Sequence, residues 1–183
     1  MKKTLLIMLL FAAKFTFAQK DTTGLNIPVK DSKIVYEGVI EIPNKPKSEL
    51  YSNAQKWFID MFKSSKDVIQ NQDKDQGQIV GKGNMTTSIK GRMGIPWNFV
   101  NKMTIQVDCK DNKYRYRIYD IITSLPGGNI DDTPLEIPYN SLISGKWVIN
   151  EKFTRSLVEN TNTDIKALVE NLKKSMNVKK DDF

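Results

Sequence analysis

Apolar and polar residues alternate through residues 33–42, with Ile34, Tyr36, Ile40 and Ile42 on one parity and Glu37 and Glu41 on the other. A period of two with one charged parity predicts a strand that buries one face and wets the other. Gly38 falls on the apolar parity, where a missing side chain leaves room for a bulky neighbour or marks a bulge. Pro43-Asn44-Lys45-Pro46 ends the strand, and the period then changes. Leu50, Ala54, Trp57, Phe58, Met61 and Phe62 recur at helical spacing, which predicts an amphipathic helix of about four turns with an aromatic-rich face. Asn44 suits its cap, and Pro46 is tolerated in its first turn.

The rest of the chain is mostly strand pattern. Residues 67–70 read as a short strand, 71–77 as a turn, 78–82 as the returning strand and 84–90 as its continuation. Residues 91–98 read as a loop. Residues 102–110 alternate again, with Ile105, Val107 and Cys109 inward, and Asp111-Asn112 is a tight turn. In the strand at 113–122, Tyr114, Tyr116 and Ile118 alternate with Arg115, Arg117 and Tyr119. Residues 123–150 hold Pro126, Gly127, Gly128, Pro134 and Pro138 and predict a long irregular connection. Ile165, Leu168, Val169, Leu172 and Met176 then return to helical spacing, with Thr161 and Asp164 resembling a capping box. Strand, helix, several antiparallel strands and helix predict an α+β domain, an antiparallel sheet of about five strands with two helices packed on one face. The other face is left to water or to a partner.

The N-terminus changes the compartment. Lys2-Lys3, a ten-residue run from Thr4 to Ala13 that is apolar after Thr4, and Thr16-Phe17-Ala18 have the order of a secretory signal with cleavage after Ala18. The run is too short to span a bilayer, which needs about 20 apolar residues. The expected layout is a signal at 1–18, a flexible leader or loosely docked arm at 19–32, one domain at 33–178 and a frayed tail at 179–183. Cleavage leaves 165 of 183 residues, and loss of Lys2, Lys3 and Lys14 takes the net charge from +7 to +4. So mild an excess of cations fits a solvated surface better than a nucleic-acid footprint.

With no histidine, Ser-His-Asp and Cys-His catalysis and histidine zinc sites are excluded. A single cysteine, Cys109, forbids an internal disulfide, so stability must come from packing. Its inward parity reads as an inert buried thiol.

Three stretches, SELYSNAQKWFIDMF (48–62), VIQNQDKDQGQIVGKG (68–83) and MTIQVDCKDNKYRYRIYD (103–120), together resemble an exported bacterial family. It is domain of unknown function 4468, described as having a TATA-binding-protein-like fold. The match spans about residues 33–122 and, more weakly, the last helix; the GKG and KYRY stretches agree in order and spacing. The resemblance implies a fold and carries no catalytic residues. The best-known member of that fold bends DNA with its sheet, but fold is not function. An outer face mixing Glu37, Glu41 and Asp108 with Arg115 and Arg117 lacks the uniformly basic, apolar-wedged surface of a minor-groove binder.

Several constellations invite chemistry and fail on spacing. Glu37 and Glu41 lie four strand residues apart, about 13 Å, whereas glycosidase carboxylates stand about 5–9.5 Å apart. From Asp73, glycine falls one position early for a calcium loop, and Asn84 stands where the bidentate Glu belongs. Gly81-Lys82-Gly83 lacks the spacing and hydroxyl of a P-loop, and those glycines suit close approach of the first helix's aromatics. Arg115 and Arg117, with Lys82 near, are the best basic patch, either a contact surface or cross-strand partners of Glu37, Glu41 or Asp108. The apolar stretch 95–99, with Trp97 and Phe99, either caps the core or stays exposed as an anchor.

These readings converge on a non-enzymatic envelope protein that binds another envelope protein or glycan through its open sheet face and loops. The expected contacts are Lys82, Arg115, Arg117, Trp97 and Phe99. No metal, cofactor, nucleic-acid partner or membrane span is expected. The rival is an envelope hydrolase with a carboxylate or Ser/Lys site assembled only in three dimensions.

Overall fold

The computed structural model describes residues 26–62, 68–125, 135–146 and 150–178. The expected signal at 1–18 and tail at 179–183 lie outside them. The stretch read as a leader is docked where it is described. β1 (Val29–Lys30) and β2 (Lys33–Ile34) form a small antiparallel ladder, with Ile27 and Ile34 buried.

The main sheet is antiparallel and six-stranded, one strand more than the sequence pattern suggests. Its order is β3 (Tyr36–Glu41), β7 (Lys113–Leu125), β6 (Pro96–Lys110), β5 (Gln78–Lys90) and β4 (Ile69–Asp73), with β8 (Leu135–Pro138) also on β7. β3 pairs with the first half of β7, and β8 with Ile122–Leu125. The extra strand comes from the stretch read as irregular. There β7 runs on to Leu125, and β8 leads directly into α2 (Tyr139–Ile143). Four residues ending in proline show too little alternation to be read as a strand. The expected loop at 91–98 shrinks as well, because β6 begins at Pro96.

α1 (Lys47–Phe62) and α3 (Glu151–Met176) cover one face. α1 buries Leu50, Tyr51, Ala54, Trp57 and Phe58, while Met61, expected inside, is exposed. Its first turn is capped by Asp111 from the β6–β7 turn, whose Oδ1 accepts from Lys47 N at 2.7 Å. Asn44, expected in that role, instead takes a left-handed φ of 63°. The glycines of β5 make the sheet's contact with α1 possible. A Cβ on Gly81 would stand 2.7 Å from the Phe58 ring, and one on Gly83 equally close to Phe62. Gly38 likewise makes room for Tyr116.

α3 starts ten residues before the expected capping box. Asn150 caps it, Oδ1 accepting from Phe153 N at 3.3 Å. Thr161 is buried in mid-helix, and Asp164 accepts a hydrogen bond from the Thr87 hydroxyl at 2.7 Å. The helical period was present but masked: up to Ile165 the buried positions are Thr154, Leu157, Val158, Thr161, Asn162 and Ile165, and three of these six are polar. Trp57 Nε1 donates to Asn171 Oδ1 at 2.8 Å and ties the two helices together.

A buried polar chain crosses the far half of the sheet. Thr123 donates to Asn101 Oδ1 (2.7 Å), Asn101 Nδ2 to Thr87 (2.9 Å), and Thr87 to Asp164. Thr87, Asn101 and Thr123 are fully buried, so each donor and acceptor fixes the strands' register.

Candidate functional site

The face away from the helices is a grid whose rows run across the strands. One row reads Val39, Arg115, Asp108, Gln78; the next reads Glu37, Arg117, Gln106, Val80; a third holds Tyr119, Thr104 and Lys82. Alternation along each strand puts these residues on this face and the core on the other.

Asp108 is the hub. Its Oδ2 accepts from Arg115 Nε and Nη2 at 3.0 and 2.8 Å. Its Oδ1 accepts from Gln78 and Gln106 side-chain amides, both at 2.8 Å. Burial alone would raise the carboxyl's pKa, but hydrogen bonds from Gln106, Gln78 and Arg115, with the Arg115 charge, hold it below its ordinary value. Gln106 in turn accepts from Arg117 Nη2 at 2.6 Å. The Arg117 guanidinium lies 5.7 Å from the Tyr119 ring, and its buried Nε has no hydrogen-bond partner.

The five residues picked from the sequence therefore separate. Arg115 and Arg117 are neighbours joined through Asp108 and Gln106. Lys82 lies one row beyond Arg117 and donates to Thr104 Oγ1 at 2.5 Å. Trp97 is half-exposed at the far end of β6, edge-on to Phe153 at 5.6 Å. Phe99 is not a surface anchor. It is fully buried against Phe153 at 5.8 Å, because its odd parity on β6 is the core parity.

Beside Arg115 a shallow groove of about 230 Å³ is lined by Val39, Asp108, Lys110, Lys113, Tyr114 and Arg115. Val39 is 61 % exposed at the sheet edge, and Arg115 keeps about half its side chain in water despite its pairing. Val39, Lys110 and Lys113 were missed from the sequence. Val39 reads as one more strand valine, and the lysines only as turn flanks. In a second depression of about 290 Å³, between β3 and α3, the lysines are engaged: Lys173 with Glu170 at 2.7 Å, Lys166 with the Asn26 carbonyl at 3.3 Å.

The other sequence constellations resolve into structure. Glu37 pairs with Lys30 at 2.5 Å. Asp73 Oδ1 accepts from Gln76 N at 2.8 Å within the β4–β5 turn, and Gly77 takes its positive φ of 71° there. Burial, with the Asp108 charge adding, pushes the Cys109 thiol up to about 12. Among the described residues no group of three or more acidic or cysteine side chains could hold a metal ion, and no helix is long and apolar enough to cross a membrane.

An antiparallel sheet with both long helices on one face and a polar grid on the other defines an α+β protein of TBP-like fold. Residues 36–123 match the model of the domain of unknown function (DUF4468) with TBP-like fold. Two crystal structures share the architecture. A DUF4468 family protein from Bacteroides ovatus ATCC 8483 is 19 % identical with a TM-score of 0.68, over 88 % of this chain and 97 % of its own. A TBP-like protein from Parabacteroides distasonis ATCC 8503 is 17 % identical with a TM-score of 0.69, over 84 % of this chain and 99 % of its own. At such identities the likeness is one of fold. No curated protein matches the chain.

Proposed function

We propose that the chain is a non-enzymatic, exported binding module that holds an anionic group of an envelope protein or glycan on its open sheet face. The observation that carries this reading is Arg115. Both oxygens of Asp108 are committed to fixing the grid, yet about half of the Arg115 side chain stays exposed, lining a groove shared with Lys110, Lys113 and exposed Val39. A guanidinium already oriented loses little freedom on meeting a carboxylate, sulfate or phosphate group. Val39 offers apolar contact beside it. The carboxylates of Asp108, Glu37 and Glu41 on the same face disfavour a continuous polyanion such as nucleic acid.

The test is photocrosslinking in cells from a benzoylphenylalanine placed at Val39, with the exported protein as bait. A Lys110→Glu/Lys113→Glu variant, altered only at the exposed strand ends that flank the β6–β7 turn, runs beside it. A species captured from position 39 and lost in the charge-reversed variant supports the reading. Equal capture by both, or none, overturns it.

A further inference from the structure

Among the described residues, the far end of the β5–β6 hairpin carries the most exposed apolar cluster. A 3-10 turn, Arg92–Gly94, reverses the chain between Lys90 and Pro96. Met93 is 91 % exposed, Ile95 63 % and Trp97 47 %, with Pro96 exposed between them. Runs of exposed apolar residues are uncommon on soluble domains unless they touch something. Met93 is also held at φ 59°, ψ 20°, a left-handed conformation that an L side chain adopts at a cost. No burial of Met93 offsets it. Trp97, by contrast, is fixed: its indole lies on Gly91 and edge-on to Phe153, leaving its outer part in water.

Charge adds a second observation. Between Asp75 and Asp108 the chain has four cations, Lys82, Lys90, Arg92 and Lys102, and no carboxylate. Two of them, Lys90 and Arg92, flank the apolar tip. Glu151 and Lys152, which precede Phe153 on α3, offset each other.

We propose that this tip inserts into the headgroup layer of an anionic phospholipid bilayer. Size favours lipid over protein as the occupant. A specific protein interface buries about 800 Å² per partner and uses about 20–30 residues a side; the apolar tip offers four. A bilayer needs no matching relief. Met93 and Ile95 enter the acyl boundary, the Trp97 indole sits at headgroup depth, and Lys90 meets lipid phosphates, with a second positive charge two residues along the chain at Arg92. This surface lies at the opposite end of β6 from Asp108 and is independent of the groove.

The experiment is flotation of the mature chain with phosphatidylcholine vesicles, with and without phosphatidylglycerol, at low salt. Wild type should float with the phosphatidylglycerol vesicles. Met93→Asn/Ile95→Ser leaves charge unchanged, and asparagine tolerates positive φ; it should lose that binding while melting like wild type. Lys90→Gln/Arg92→Gln should weaken it roughly thirtyfold. Wild type that stays with the soluble fraction overturns the proposal, as does full binding by Met93→Asn/Ile95→Ser. So does a concentration-dependent dimer that the same variant abolishes in the absence of vesicle binding.

Discussion

Alternate residues of the same strands build the two faces of the sheet, and the faces are held by different forces. The inner face is close-packed: Phe58 rests on Gly81, Phe62 on Gly83 and Tyr116 on Gly38, with little space to spare. The outer face is organised by directed bonds converging on Asp108; Gln106 and Thr104 are buried within it, while Arg115 and Val39 reach water. Packing forces act over the whole contact area and punish any change of volume. Hydrogen-bonded side chains at a wet surface can exchange one partner for water at small cost. One face is therefore intolerant of substitution, and the other is free to present chemistry.

The comparison breaks most visibly at Phe58. Phe58→Ala should destabilise by about 3–5 kcal/mol, since the ring is fully buried between helix and sheet. Chemical denaturation that returned less than a quarter of that would mean the helix does not depend on this contact.

Adding volume should hurt as well. Gly81→Val would push carbon into the Phe58 ring and the Val68 carbonyl, and about 1–3 kcal/mol is expected from the shift in thermal midpoint. Asn101→Ala should fall in the same range, because it leaves the buried Thr123 hydroxyl without its acceptor and takes away the amide that donates to Thr87, which keeps only Asp164. These two substitutions separate packing from polar register within one face.

On the outer face the effects should be smaller and dependent on pH. The Asp108 carboxyl is held below its ordinary value in the folded chain, so its contribution is fully present above the unfolded value, about pH 3.9. It fades as pH falls through the lower folded value. The stability gap between wild type and Asp108→Asn should therefore be constant near neutrality and close in acid. A gap that widened in acid would contradict the assignment. Arg115→Gln should cost under about 1 kcal/mol, as half-exposed ion pairs do.

Cys109 gives the smallest perturbation, since nothing is mutated. Burial leaves the thiol protonated at neutral pH, so a thiol-directed reagent should label it only as fast as the domain unfolds. Rapid labelling of the native protein would show that the inner face opens on its own.

Much of this was legible one residue at a time. The alternation around Tyr36, Ile105 and Tyr114 placed both faces correctly, and the glycines of β5 announced the aromatics of α1, because both signals are local and repeat with the backbone period. Two kinds of feature were hidden. α3 begins at Glu151, yet Thr154 and Thr161 occupy core positions, so polarity masked the helical period. β8 is too short to show alternation and exists because β7 has a free flank beyond β3. The candidate site was legible in parts. Arg115 and Arg117 were found by parity, but Phe99 was misjudged, because a strand parity cannot be assigned before the strand is known to begin at Pro96.

By itself the sequence determined the fold class, the first helix, the inner and outer parity of the central strands and the chemistry unavailable to a chain without histidine. Each follows from side-chain period or composition, which needs no distant contact. Only the tertiary structure decided that Asp108 collects Arg115, Gln78 and Gln106, that Lys82 stands apart from the arginines, and that Val39 and two turn lysines share a groove. Those outcomes depend on which strands lie side by side and in what register. That choice is made by long-range packing against α1 and α3, and no local pattern records it.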